Sequence, residues 1–478
     1  MLSAALIALS AVPLALAQSN ETVLGVYMFH RHGDRTAKST PPANLTVLGF
    51  EEVYTSGDYF RNRYVSSNAT SKIKGLNSDL VRNSQLAVSA PADTVLQNSA
   101  TGFLQALYPP VGDLSTSTLA NGTVVRSPGN GYQLIPVSLV TSGTGSEDNG
   151  WLQSSSGCAQ ATVSSNDYFT SAEYMNLLNS TQSFYNSIIP VVNGTFTNSQ
   201  VSFKNAYVIY DLINVAEIHN KTISGSDVLT SDNLFQLRTL ADSHEWGLAY
   251  NKSDDMRAVP GKVLAGQIVQ ALNTTVTSQG KTPLNIQFGA YGTFASFFGL
   301  AGLPSVNNTF YGIADYASVM VFELFTNATG SSFPGNDDIY VRFMFHNGTT
   351  SSISEPSVYP LFGSGQNTLK WNDFTNGMNK FAISNTQEWC QACGNTTGTC
   401  AAYTSNSSSS SDSSNGASTS SSSSGNGLSP AVNGVIGAMV TLAVILLIEG
   451  LIVLLGGFRL VRKNRLASPA NGHGAVKA

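Results

Sequence analysis

The chain has 478 residues and a formal net charge of −5, and only 11 % of its residues are charged. That length supports a sizeable core in one large domain or two moderate ones. The mild acidity argues against nucleic-acid binding, which calls for a basic footprint.

Residues 1–17 form a short apolar run ending in Ala15-Leu16-Ala17, a small-x-small pattern that reads as a cleaved secretory signal. The run is too short to span a bilayer. A strand follows over Thr22–Phe29 and leads into Arg31-His32-Gly33-Asp34-Arg35, which sets one imidazole between two guanidiniums. Nearby cations disfavour the protonated ring and so keep it nucleophilic. Arginine forks also grip phosphate oxygens in pairs. The plainer alternative is a basic loop after a strand, which leaves the order of Arg, His and Gly unexplained.

Helical periodicity marks Thr46–Tyr64, Thr94–Leu107, Ser171–Ile188, Asp232–Tyr250 and Lys262–Thr275. Strand-like runs also cover Ala206–Tyr210, Leu284–Phe288 and Ile339–Phe345. Interleaved helices and strands predict an α/β sheet covered on both faces, with ligands bound beyond the carboxyl ends of the strands. Three further histidines are weighed as catalysts and read blandly. His219 follows the apolar Leu212–Ile218 and reads as a packed or surface residue. His244-Glu245 reads as a solvated helix face. His346 precedes the Asn347-Gly348 turn and reads as exposed.

Cys158, Cys390, Cys393 and Cys400 read as two disulfides in an oxidising compartment, with three pairings open. No second Cys or His pair stands at zinc spacing, so neither metal nor cofactor is assigned. Glycosylation sequons begin at Asn20, Asn44, Asn68, Asn121, Asn179, Asn193, Asn220, Asn251, Asn273, Asn307, Asn327, Asn347, Asn395 and Asn406, which predicts an N-glycosylated surface. Tyr403–Gly427 is mostly serine and cannot form a core, so residues 401–430 read as a disordered stalk. Residues 431–458 are nearly all apolar, long enough to span a bilayer core of roughly 30 Å. Arg459, Arg462, Lys463 and Arg465 follow, which places the tail 459–478 in the cytosol and residues 18–430 outside, as a single-pass type I protein at the cell surface. A removable lipid-anchor signal is the rival reading, and the basic tail argues against it. Glu449 lies inside this span with no role assigned.

Taken together, Arg31-His32-Gly33-Asp34-Arg35, Leu45-Thr46 to Gly49, Phe60 to Tyr64, Ser99-Ala100, Leu107-Tyr108-Pro109-Pro110, Tyr316 to Leu324 and Tyr340-Val341-Arg342 resemble the histidine acid phosphatases of the phosphoglycerate-mutase-like superfamily. The resemblance covers roughly Val23 to Cys393. It implies a helix-flanked α/β sheet in an ectodomain over 18–400, with a smaller, mainly helical cap over roughly 113–250. His32 would attack phosphorus and form a phosphohistidine. Arg31 and Arg35 would clamp the phosphoryl oxygens. Asp34 would orient the loop rather than act as the acid.

Two residues that the resemblance implies are replaced. The third phosphate arginine falls on Val95, with Arg82 a substitute only through a local gap. The His-Asp pair that protonates the leaving oxygen falls on Ala290 and Tyr291. A general acid contributes on the order of 10²–10⁴ in rate. The first expectation is therefore a phosphomonoester hydrolase working through His32, weak or substrate-restricted and best on aryl phosphates. The second is a catalytically inactive pseudophosphatase that binds a phosphorylated or other small anionic ligand at the cell surface. An adhesion stalk would account for the serines and leave the loop unexplained.

Overall fold

Strand β1, Thr22–Arg31, is rich in β-branched and aromatic residues and is buried on both faces. The computed structural model describes residues 21–139 and 157–404. The signal segment, nearly all of the Ser-rich stretch, the apolar segment 431–458 with Glu449, and the basic tail lie outside the described residues. Among the described residues no helix is long and apolar enough to cross a membrane.

The remaining strands are β2 (Leu86–Ala90), β3 (Thr116–Thr118), β4 (Val124–Arg126), β5 (Ser138–Leu139), β6 (Leu284–Gly289), β7 (Val319–Thr326), β8 (Ile339–His346), β9 (Ser357–Val358) and β10 (Thr368–Lys370). The main sheet runs β10-β8-β7-β1-β6-β2-β5, with β9 on β8. It is parallel on the β6–β2–β5 side of β1 and antiparallel on the β7–β8–β10 side. Arg31 pairs in register with Gly289, so β1 and β6 end together and release their following loops side by side.

Helices of two or more turns are α1 (Val47–Phe60), α2 (Thr94–Leu107), α3 (Ala159–Asp167), α4 (Ala172–Ser180), α5 (Gln182–Val192), α6 (Ala206–His219), α7 (Ser231–Ala249), α8 (Val259–Thr277), α9 (Tyr291–Leu300), α10 (Trp371–Met378) and α11 (Thr386–Cys393). One sheet face carries a core with α1 and α2, including Val53, Phe60, Phe103 and Leu107. The other face carries a core with α8, α9 and α10, including Leu264, Ile268, Phe294 and Phe374. Both faces are thus covered, as the interleaved pattern predicts. A third cluster, from Tyr168 to Leu248, holds the helical layer together.

Three expectations need correction. Ala206–Tyr210 is the start of α6 rather than a strand. A short apolar run carries no period of its own, and this one continues to His219 with nearly every side buried, which suits a helix inside the helical layer. Residues 113–139 of the expected cap are not mainly helical: β3 and β4 pair as a hairpin, and β5 joins the main sheet. The first residues assigned to the Ser-rich stalk, Ala401–Thr404, form a helical turn. The disulfides are Cys158–Cys393, which joins α3 to the end of α11, and the local Cys390–Cys400.

Two glycines fix how α1 meets the loop after β1. A Cβ on Gly33 would stand 2.1 Å from the Gly49 carbonyl oxygen, and one on Gly49 would stand 2.0 Å from that of Asp34. Backbone packs directly on backbone there, so the first turn of α1 lies against the loop.

Candidate active site

The loop Arg31–Arg35 is held from several sides. Thr46 caps α1, accepting from the Gly49 N–H at 3.0 Å and donating to the Asp34 carboxylate. The same Asp34 oxygen lies 2.6 Å from His219 Nε2 at the end of α6, while its Oδ1 is buried without a partner. The Asp34 N–H donates to Glu52 Oε2 at 2.6 Å, and the Gly33 N–H to Ser99 Oγ at 3.3 Å. Asp34 thus ties loop, α1 and α6 together, which is an orienting position.

His32 is fully buried. Its Nδ1 stands 2.7 Å from the Gly33 carbonyl oxygen and its ring centroid 5.4 Å from that of Tyr316. A carbonyl only accepts, so this contact requires the proton on Nδ1 and leaves the lone pair of the neutral ring on Nε2. His30 packs against the rings of Phe103 and Phe288, and burial lowers its pKa to about 4.

Arg31 and Arg35 differ in their surroundings. Arg31 donates to the Ala314 carbonyl and lies 4.6 Å over the Tyr316 ring and 5.3 Å over Tyr291. Among the described residues no carboxylate lies within ion-pair distance of it. Arg35 is fully buried and grips Asp211 with two hydrogen bonds, 2.9 and 3.3 Å, with Tyr207 at 3.1 Å. Asp211 also accepts the Lys38 N–H at 2.8 Å.

A cavity of about 220 Å³ opens beyond the strand ends, lined by Arg31, Glu52, Asp211, Arg238, Asp315 and Tyr316 among others. Arg238 is bound to Asp242 and Asp315, at 2.9 and 2.8 Å. Asp315 in turn accepts from Asn347 Nδ2 at 2.8 Å. A wider cleft of about 660 Å³ adjoins it through Arg238 and Asp315, and is faced by Trp246 and Tyr311.

The structure brings Arg31, His32, Asp34 and Arg35 together with Ala290 and Tyr291, because β1 and β6 end side by side. Ala290 immediately precedes α9, makes no side-chain cap and is fully buried. The Tyr291 hydroxyl donates to Glu245 at 2.7 Å, and Glu245 lies 2.7 Å from His244 Nδ1. His244 and Glu245 are buried, not a solvated face. Val95 is buried in the first turn of α2, where its N–H donates to Asp93. Arg82 is exposed ahead of β2 and does not enter the site. His346 is half-buried and bonded to Ser354 rather than exposed.

Sequence reasoning missed Glu52 and Asp211. Glu52 lies one turn after Gly49, and that spacing turns it to the side of α1 that meets the loop. Asp211 is a lone acid in the apolar run Ala206–Ile213, and such an isolated charge calls for a buried partner.

The family model for the histidine phosphatase superfamily (branch 2) matches residues 42–346. No curated protein matches the sequence. The fold is similar to that of the phytase from Citrobacter braakii, with 14 % identity over 78 % of this chain and 99 % of that one, and a TM-score of 0.51. The Hafnia alvei phytase in complex with myo-inositol hexakis sulphate gives 14 % identity over 79 % and 99 %, with a TM-score of 0.51. The Klebsiella sp. ASR1 phytase gives 10 % identity over 76 % and 95 %, with a TM-score of 0.52. At these identities the likeness is one of fold.

Proposed function

Because this chain belongs to the histidine phosphatase superfamily, branch 2, we propose that it hydrolyses phosphomonoesters through a phosphohistidine on His32, with restricted turnover. The observation that carries this reading is the 2.7 Å contact from His32 Nδ1 to the Gly33 carbonyl, beside an Arg31 with no carboxylate partner among the described residues. It orients a neutral imidazole with its lone pair on Nε2, next to a guanidinium able to hold an anion. Nε2 attacks phosphorus and the ester oxygen leaves. Water then releases phosphate from the histidine.

Two features restrict the rate. Val95 supplies no charge where the family carries a third arginine, and Arg35 is engaged by Asp211. A transition state deprived of one charged hydrogen-bond donor rises by on the order of 2–4 kcal/mol. Tyr291, at the family's proton-donor position, donates its hydroxyl hydrogen bond to Glu245. Aryl phosphates, whose leaving oxygen needs least protonation, are therefore the better substrates.

The test is direct trapping. Protein mixed with an aryl phosphate and quenched in base is expected to carry one phosphoryl group on the peptide that contains His32. A second reading, the inactive anion-binding protein, is favoured by the Arg35–Asp211 pair. It predicts no trapped phosphoryl group, together with a phosphate-dependent rise in melting temperature that Arg31→Ala removes.

We also propose that the described residues face the outside of the cell, behind the apolar segment 431–458. Two disulfides support an oxidising compartment. The described sequon asparagines are exposed, except Asn251, Asn347 and Asn395, which are half-buried. Asn347 is the least available, since both ends of its amide bond to Asp315. Treatment of intact cells with an N-glycosidase is expected to shorten the protein's apparent mass, and an unchanged mobility would count against exposure.

A further inference from the structure

We propose that Glu52 is the proton donor to the leaving oxygen, in place of the acid that position 291 does not supply. The inference rests on the phosphomonoesterase reading above. Three carboxyl groups line the cavity beside Arg31: Glu52, Asp211 and Asp315. A general acid must carry a proton and present it to the substrate. Asp211 accepts two hydrogen bonds from Arg35 and one from the Lys38 N–H. Asp315 is paired with Arg238 and accepts from Asn347. Each is already engaged by an arginine.

Glu52 differs on each count. No cation lies within ion-pair distance of it among the described residues. Its Oε2 accepts one hydrogen bond, from the Asp34 N–H at 2.6 Å, which anchors the carboxyl to the nucleophile's own loop. Its Oε1 has no hydrogen-bond partner among the described residues, and the residue lines the same cavity as Arg31. The charged groups around it are Asp34 on the loop, Glu51 on its own helix and Arg31 on β1, with Asp211, Arg238 and Asp315 across the cavity. The phenol of Tyr316, also on the wall, is raised by burial and stays neutral. Burial, helped by the Asp34 and Glu51 carboxylates, raises the Glu52 pKa to about 7, against the opposing Asp34 hydrogen bond and Arg31 charge.

The step balances. His32 Nε2 forms a bond to phosphorus as the phosphorus–oxygen ester bond breaks. The departing oxygen takes the proton from Glu52 Oε1 and leaves as an alcohol, and Glu52 becomes a carboxylate. In the second half, that carboxylate takes a proton from the water that attacks the phosphohistidine. Inorganic phosphate departs, and both groups return to their starting states. The protonated form is the active one, so alkyl-ester cleavage is present in acid and lost as the pH rises through about 7.

Pre-steady-state alcohol release reads the first half alone. Glu52→Gln keeps an oxygen to accept the Asp34 N–H and removes the proton. It is expected to slow alcohol release from an alkyl phosphate by about 10²-fold or more, to slow an aryl phosphate far less, and to abolish the limb near pH 7. Glu52→Asp is expected to restore part of the alkyl rate. An unchanged alkyl rate overturns the inference, as does an equal loss on both substrates, which would mark a purely structural role. The native phosphate-dependent thermal shift, measured on the same variant, reports an intact site. Alcohol release that His32→Asn leaves untouched on either substrate overturns the phosphatase reading and the inference with it. His32-dependent release that Glu52→Gln leaves unchanged overturns the inference alone.

Discussion

His32→Asn is expected to lower aryl-phosphate turnover by on the order of 10³-fold or more, because it removes the atom that bonds to phosphorus. The amide of asparagine is chosen to keep a donor toward the Gly33 carbonyl, which His32 Nδ1 occupies at 2.7 Å in the native chain. His32→Ala would also open a void at a fully buried position and confound rate with stability. Native protein is expected to cleave aryl phosphates faster than alkyl phosphates at every pH above the Glu52 limb. Loss of the aryl rate in the variant, with the thermal midpoint preserved, supports covalent chemistry at this ring. Equal rates in variant and native protein would remove His32 from the reaction.

Asp211→Asn is the second large effect. Arg35 and Asp211 are both buried, and breaking such a pair by removing one charge typically costs about 3–5 kcal/mol, because the other is left uncompensated. The denaturation midpoint is expected to fall accordingly. Inorganic phosphate is expected to recover more stability in the variant than in native protein, since the released guanidinium then has an anion to bind. Replacing both residues with apolar side chains of similar size is expected to cost less than Asp211→Asn alone. If phosphate stabilises variant and native protein equally, Arg35 does not reach the anion, and Arg31 holds it without help. Urea titrations with and without phosphate separate these outcomes.

The readable and unreadable parts of the chain divide by range. β1 announces itself through a continuous β-branched and aromatic run, which the charged loop Arg31–Arg35 brings to an end. Helix α2 is read over Thr94–Leu107 from its apolar period, because Asp93 caps it cleanly. Ala206–Tyr210 is open to either reading on local grounds, and only burial within the helical layer decides for helix. The partners of the loop are harder, because nothing local encodes them. Asp211 meets Arg35 across 176 residues and His219 meets Asp34 across 185. His244-Glu245 reads as surface because charged neighbours on a helix usually are, yet Tyr291 supplies a buried donor for the carboxylate. Glu52 is within reach of the sequence, since the helix period from Thr46 and Gly49 already turns that side chain toward the loop.

The Cys158–Cys393 bridge also bears on how the chain is made. Its two sulfurs are separated by 235 residues, and Cys393 follows every strand of the main sheet and nearly all of the helices. During synthesis from the amino end, α3 therefore waits with an unpaired thiol until the whole sheet has emerged. The local Cys390–Cys400 bond arrives at almost the same moment, so Cys158 must select Cys393 from two neighbouring rivals. Sheet assembly first, which brings α11 beside α3, makes that selection by proximity. A nascent chain halted before residue 390 would instead expose its one thiol to any oxidant it meets.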